Sequence, residues 1–177
     1  IPAKGEFAAE IRKSFVAEKG WKFVAFDYSQ IELRIAAHLS GDKKMSRAFA
    51  ENKDIHSITA SEIFNVSLEK VLPDMRKKAK VLNFGILYGM GTRAISENLG
   101  VSKKEAEMYR DEYFGDFEGI ANYIQKTIEE AKERGYVKSL FARKRYLKAL
   151  YFQNDFVRKE AERMAINMPI QGTAADV

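Results

Sequence analysis

At 177 residues the chain is long enough for one sizeable core or for two small subdomains, and its 46% hydrophobic and 31% charged residues with only 3 Pro exclude a disordered chain. The absence of cysteine excludes a disulfide framework and a thiolate metal site, 2 His are too few for a His-rich metal centre, and no apolar run approaches the roughly 20 residues of a membrane span. The net charge of +5 permits a polyanionic partner without requiring one, no membrane partner is expected, and the location expected is cytoplasmic. The chain opens on Ile1-Pro2 without a Met and ends inside a run that still reads as helix, so a fragment is expected.

Taken in chain order, residues 11–17, the turn Glu18-Lys19-Gly20 and residues 21–27 read as strand, turn, strand. The second strand is apolar on both faces, which predicts burial in a sheet and makes the carboxylate at its end, Asp27, unusual. Helices are then predicted over 30–39, closed by Gly41, over 42–51, over 54–64, over 74–88, closed by Gly89, and over 93–99, closed by Gly100. The helix over 103–113 opens on the capping box Ser102 to Glu105, and that over 117–134 ends at Gly135. Residues 136–150 read as a basic hairpin, and a last helix starts near Phe156. The pattern is α+β and mainly helical, an antiparallel β-hairpin plus a helical subdomain.

Several constellations in this series could carry chemistry. Asp27 ends a strand that leads into a helix, a frequent position for a carboxylate that binds Mg²⁺ while leaving the ion open to phosphates, although it also fits a local turn. Ser29 and Glu32 have the spacing of a capping box. Arg76, Lys80, Phe84 and Tyr88 recur every four residues, a step that drifts by only about 40°, so they form one stripe in the order cation, cation, aromatic, aromatic. An Arg fork and a Lys point charge suit a polyphosphate, and an aromatic one turn on can stack on a base or sugar; the alternative is a basic solvated face. Ala79, Leu82 and Ile86 fall on another side as a packing face. His56 could donate to a phosphate or be a surface histidine near a helix start. Arg163, Asn167 and Gln171 repeat the spacing of four and either track a duplex or form an ordinary polar face. Six basic residues and no acid between Arg134 and Lys148 add a second cationic region.

The run from Asp27 to Arg34 resembles the first polymerase motif of family A (bacterial DNA polymerase I type) DNA polymerases. Arg76-x-x-x-Lys80-x-x-x-Phe84-Gly85-x-x-Tyr88-Gly89 resembles their second motif, the fingers helix. Asp54-Ile55-His56 and the run from Gln171 to Asp176 resemble family segments in the expected order. The resemblance implies a central piece of such an enzyme: part of the palm over 1–40, fingers helices over 41–135, and a basic hairpin and helix returning to the palm over 136–177.

By residue, the resemblance implies that Asp27 is a catalytic metal ligand, with the Tyr28 carbonyl also facing metal, and that Lys80 joins Asp27 as a catalytic candidate. Tyr28, Gln30, Glu32, His56, Arg76, Lys80, Phe84 and Tyr88 would bind the incoming dNTP. Among them Glu32 is the steric gate against a ribose 2′-hydroxyl, and Phe84, in place of a tyrosine, implies discrimination against dideoxynucleotides. Arg163, Asn167 and Gln171 would contact primer-template DNA. The cofactor implied is Mg²⁺, as two ions, and the remaining partner is the rest of the polymerase chain, thumb and further palm included. The family's later His-Asp-Glu motif does not occur in this sequence, and one carboxylate does not hold both ions, so the isolated chain is expected to be inactive. The family's usual Gly in the basic hairpin is Ala142 here, which puts the geometry of that turn in question. A non-catalytic nucleic-acid-binding module and a purely structural helical protein are the rival readings.

Overall fold

Caps and apolar stripes, both local in sequence, account for most of the architecture in the computed structural model, which describes residues 5–177. The helices are α1 (Ala8–Lys13), α2 (Ile31–Ser40), α3 (Lys43–Ala50), α4 (Ile55–Ile63), α5 (Pro73–Leu87), α6 (Thr92–Leu99), α7 (Lys103–Asp116), α8 (Glu118–Arg134) and α9 (Asp155–Asp176). Two three-residue strands, β1 (Tyr136–Lys138) and β2 (Lys144–Tyr146), pair antiparallel with Val137 opposite Arg145. The chain is thus mainly helical with one small antiparallel hairpin, the α+β class expected. Residues 1–4, part of the expected 1–40 unit, lie outside the described residues.

Most predicted stops and starts have a physical counterpart. Gly41, Gly100 and Gly135 take the left-handed conformation that closes α2, α6 and α8. Asp42, Asp54, Ser102 and Asn154 accept N–H bonds as N-caps of α3, α4, α7 and α9. Pro73 occupies the first position of α5, where no N–H bond is lost. Pro169 lies inside α9, where it removes the bond to the Ala165 carbonyl, and the Tyr123 hydroxyl of α8 reaches the adjacent Ile166 carbonyl at 3.5 Å.

One large core joins α2 to α8, centred on Leu33, Met45, Ile55, Leu82, Ile95, Tyr113, Phe117 and Ile120, with Ile170 of α9 closing it. A smaller core of Ala131, Val137, Leu147, Leu150, Ala161, Ala165 and Met168 fastens the hairpin to α8 and α9.

The first predicted hairpin does not form. Residues 8–13 are helical and 15–28 run without strand pairing, with Trp21 75%, Phe23 71% and Phe26 94% exposed. The turn is where expected, with Gly20 at φ +90 and the Trp21 N–H on the Glu18 carbonyl. What is missing is a cover, because a two-stranded hairpin needs a third strand or a helix against its apolar face, and among the described residues none lies there. The predicted Ser29–Glu32 capping box is also absent: Gln30 is the N-cap of α2, in the left-handed region at φ +55, and the Glu32 side chain is engaged elsewhere.

Candidate functional site

Asp27 and Tyr28 end the exposed segment that leads into α2 and are themselves exposed, so Asp27 stands at a rim and not at the end of a buried strand. The turn into the helix is held by Arg34, whose Nε donates to the Ser29 carbonyl at 3.0 Å while its guanidinium lies 4.7 Å from the Phe49 ring centroid. Gln30, half-buried, makes the bend through its positive φ.

On α5 the stripe divides from the packing face as periodicity predicts. Ala79, Leu82 and Ile86 are buried, whereas Arg76 and Lys80 are exposed and Phe84 and Tyr88 half-buried. Lys80 makes no ion pair among the described residues. Arg76 grips Asp54, the N-cap of α4, with Nε 2.6 Å from one carboxylate oxygen and Nη2 3.2 Å from the other. Burial works to raise the Asp54 carboxyl, but this fork and the Ser57 hydroxyl outweigh it and hold the group at about 2.

His56 is not a surface residue: it is only 2% exposed, beneath this stripe. The Asn83 amide nitrogen lies 3.0 Å from its Nδ1, and Thr59 completes a buried triplet with Asn83. An amide nitrogen only donates, so Nδ1 accepts and the neutral ring keeps Nε2 as its N–H donor. Burial pushes the imidazole down to about 4, against the pull of Asp54 and with the help of Arg76 and Lys80. The ring centroids of His56 and Phe84 are 5.8 Å apart and those of Phe84 and Tyr88 6.1 Å, so the three rings form a ladder beyond the two cations.

The C-terminal end of α5 is where three helices meet. The Tyr88 hydroxyl donates a hydrogen bond to Glu32 of α2. Burial, with the Glu32 carboxylate, raises the phenol to about 12, and the Gln171 side chain of α9 hydrogen-bonds it with the opposite effect. Gly89 turns at φ +69 against Arg163 of α9, so closely that a Cβ there would lie 2.7 Å from the Arg163 Cγ. Glu32, Tyr88, Arg163 and Gln171, read from separate segments, are therefore neighbours.

Arg163 and Gln171 are partly or fully exposed, with Arg163 bonded to Glu160, while the Asn167 Oδ1 is buried without a partner. The hairpin docks at the end of the same helix, the Leu140 N–H on the Thr173 hydroxyl at 3.0 Å and Ser139 and Arg143 on Asp176. Its tip, Ala142, adopts φ +65. Arg143, Lys144 and Arg145 with Gln171 and Gly172 line an open cleft of about 420 Å³. Sequence reasoning missed Asp54 and Asn83 as parts of this site. Asp54 read as a helix start and as part of a family-like segment but with no role of its own, and no spacing rule links it to an arginine 22 positions on.

No group of three or more His, Cys, Asp or Glu among the described residues is arranged to hold a metal ion. Asp27 stands as a single exposed carboxylate, so the described residues do not by themselves fit the two ions expected. No described helix is long and apolar enough to cross a membrane.

The profile of DNA polymerase family A matches residues 1–177. The chain is 50% identical to the thermostable DNA polymerase I of Thermus aquaticus over 177 residues, all of this chain and 21% of that one. It is 46% identical to DNA polymerase I of Pseudomonas aeruginosa, again over the whole chain and 19% of the relative. It spans about a fifth of the length of such curated relatives. The fold superposes with a TM-score of 0.88 and 39% identity on the POL domain of Pol1 from M. smegmatis in complex with DNA primer-template and dNTP, over 99% of this chain and 31% of that one.

Proposed function

The chain belongs to DNA polymerase family A, and from that premise we propose that it is the nucleotide-handling part of a DNA-directed DNA polymerase, a nucleotidyltransferase. The observation that carries the reading is the exposed stripe on α5 with neutral His56 beside it. A triphosphate lying along the helix would meet Arg76 and Lys80, then the Phe84 ring against its sugar and base, then Tyr88 near the templating position. Glu32, fixed by Tyr88, would take the place of the 2′-hydroxyl gate. Arg163, Asn167 and Gln171 would contact primer-template DNA beside that nucleotide, since Gly89 sets Arg163 against the end of α5.

In the reaction proposed, the primer 3′-hydroxyl attacks the α-phosphate and pyrophosphate leaves. What these residues contribute is position and charge. Arg76 and Lys80 would offset charge on the phosphates, and His56 would donate one N–H without adding a charge. Asp27 would be one carboxylate toward divalent metal ions, Mg²⁺ by proposal, with the Tyr28 carbonyl beside it. The remaining ligands would come from the rest of a polymerase chain.

In a full-length polymerase carrying this segment, Arg76→Ala and Lys80→Ala should each raise the dNTP KM or lower kcat by about tenfold or more. Unchanged kinetics in both would refute the triphosphate role. The isolated 177-residue chain should show no template-directed primer extension, because the His-Asp-Glu motif that would bring the second metal-binding carboxylate does not occur in this sequence.

A further inference from the structure

We propose that Asp54 is a positioning residue for substrate binding: its carboxylate holds the Arg76 guanidinium by one edge and presents the other edge to the triphosphate. The inference rests on Arg76 being a triphosphate contact. Its geometry is a side-on fork, Nε on one oxygen at 2.6 Å and Nη2 on the other at 3.2 Å, reaching from the start of α4 to the first turns of α5. A guanidinium has five N–H donors, so this fork leaves three, among them both on Nη1. Those are enough for a bidentate hold on phosphate oxygens.

The carboxylate is a fixed template and does not follow the arginine. The Ser57 hydroxyl donates to one oxygen at 2.6 Å and the His56 backbone N–H to the other at 3.2 Å, so two residues besides Arg76 hold it. Arg76 is otherwise a half-exposed, four-torsion side chain that would lose its freedom on meeting a ligand. Ordering it beforehand lowers the entropic cost of binding. The same carboxylate caps the helix whose first turn carries His56, which ties the start of that helix to Arg76 on the next. An exposed pair of this kind does little for stability alone, so its effect should be read in substrate binding.

A neighbouring anion also weakens the net pull of Arg76 on phosphate, and the sign of the effect separates orientation from competition. Loss of Asp54 weakens dNTP binding if the residue orients Arg76, and tightens it if the two anions merely compete. The test uses a full-length polymerase carrying this segment, with dNTP KM and kcat measured for Asp54→Asn, Arg76→Ala and the double variant. Asparagine caps a helix as well as aspartate does, so α4 keeps its start. Asp54→Asn should raise KM by about tenfold, the effect of losing one charge-assisted hydrogen-bonded pair, with a smaller change in kcat. The double variant should be no worse than Arg76→Ala. An unchanged or lowered KM in Asp54→Asn, or losses that multiply in the double variant, would overturn the inference while leaving the role of Arg76 intact. An Arg76→Ala variant with normal KM would instead overturn the triphosphate reading itself, and the inference with it. Asp54→Ser, which also caps but is too short to reach Arg76, must repeat the Asn result and serves in its place should that variant not fold.

Discussion

Ala142 closes the hairpin at φ +65, where its Cβ crowds the following carbonyl and glycine pays no such penalty. Ala142→Gly should therefore raise stability by about 0.5–1 kcal/mol, the relief of left-handed strain less the extra entropy of an unfolded glycine, as read from a urea midpoint. His56 makes a pH prediction. Its folded value is depressed from 6.5 to about 4 by burial, so the unfolded chain takes up the proton first as pH falls. Its contribution is intact above pH 6.5 and is lost as the pH descends from there to 4, by about 3 kcal/mol at most. Urea midpoints between pH 7 and 5 should fall for the native protein and stay nearly flat for His56→Gln. An equal slope in both would refute it. The Asp54 contribution is lost lower down, from 3.8 toward 2, so the two windows do not coincide.

Two identical patterns at the scale of elements show what the sequence could and could not disclose. Ser102-x-x-Glu105 forms its capping box, with the Ser102 N–H on Glu105 at 2.9 Å and the Glu105 N–H on the Ser102 hydroxyl at 3.2 Å. Ser29-x-x-Glu32 has the same spacing and forms none, because Tyr88, 56 residues away, claims the Glu32 carboxylate. The α5 stripe was legible since a helix needs only its own neighbours, whereas strands at 11–17 and 21–27 depend on a covering layer that alternation does not supply. Contacts between elements follow the same logic. Gly119, in the first turn of α8, would place a Cβ 2.6 Å from the Asp42 Cα, and its N–H donates to the Asp42 carboxylate at 3.1 Å. That clash is with backbone, so Gly119→Ala should cost about 1–3 kcal/mol in denaturant unfolding by forcing α8 away from α3. A near-neutral Gly119→Ala would show that the α3–α8 junction gives way easily.

Across the whole molecule, the candidate site exists because α2, α5 and α9 converge, and that convergence was not legible: the spacing of four in Arg163, Asn167 and Gln171 identifies a face without saying what it faces. Gly89 is one close approach between α5 and α9. Its left-handed φ of +69 is strained for any side chain, and a Cβ there would meet the Arg163 Cγ at 2.7 Å and its Cα at 3.3 Å. Two residues on, Gly91 begins α6 at φ −75 with nothing within 4 Å of an added Cβ. Gly89→Ala should lose about 2–3 kcal/mol, left-handed strain and overpacking together, while Gly91→Ala should change stability by less than about 1 kcal/mol. Moving α5 off α9 also loosens the contact of Tyr88 with Gln171, so Gly89→Ala should change the titration of the Tyr88 phenol as well as the unfolding midpoint. Equal losses at Gly89 and Gly91 would mean that glycine flexibility, and not the seating of α5 against Arg163, sets the behaviour of this turn.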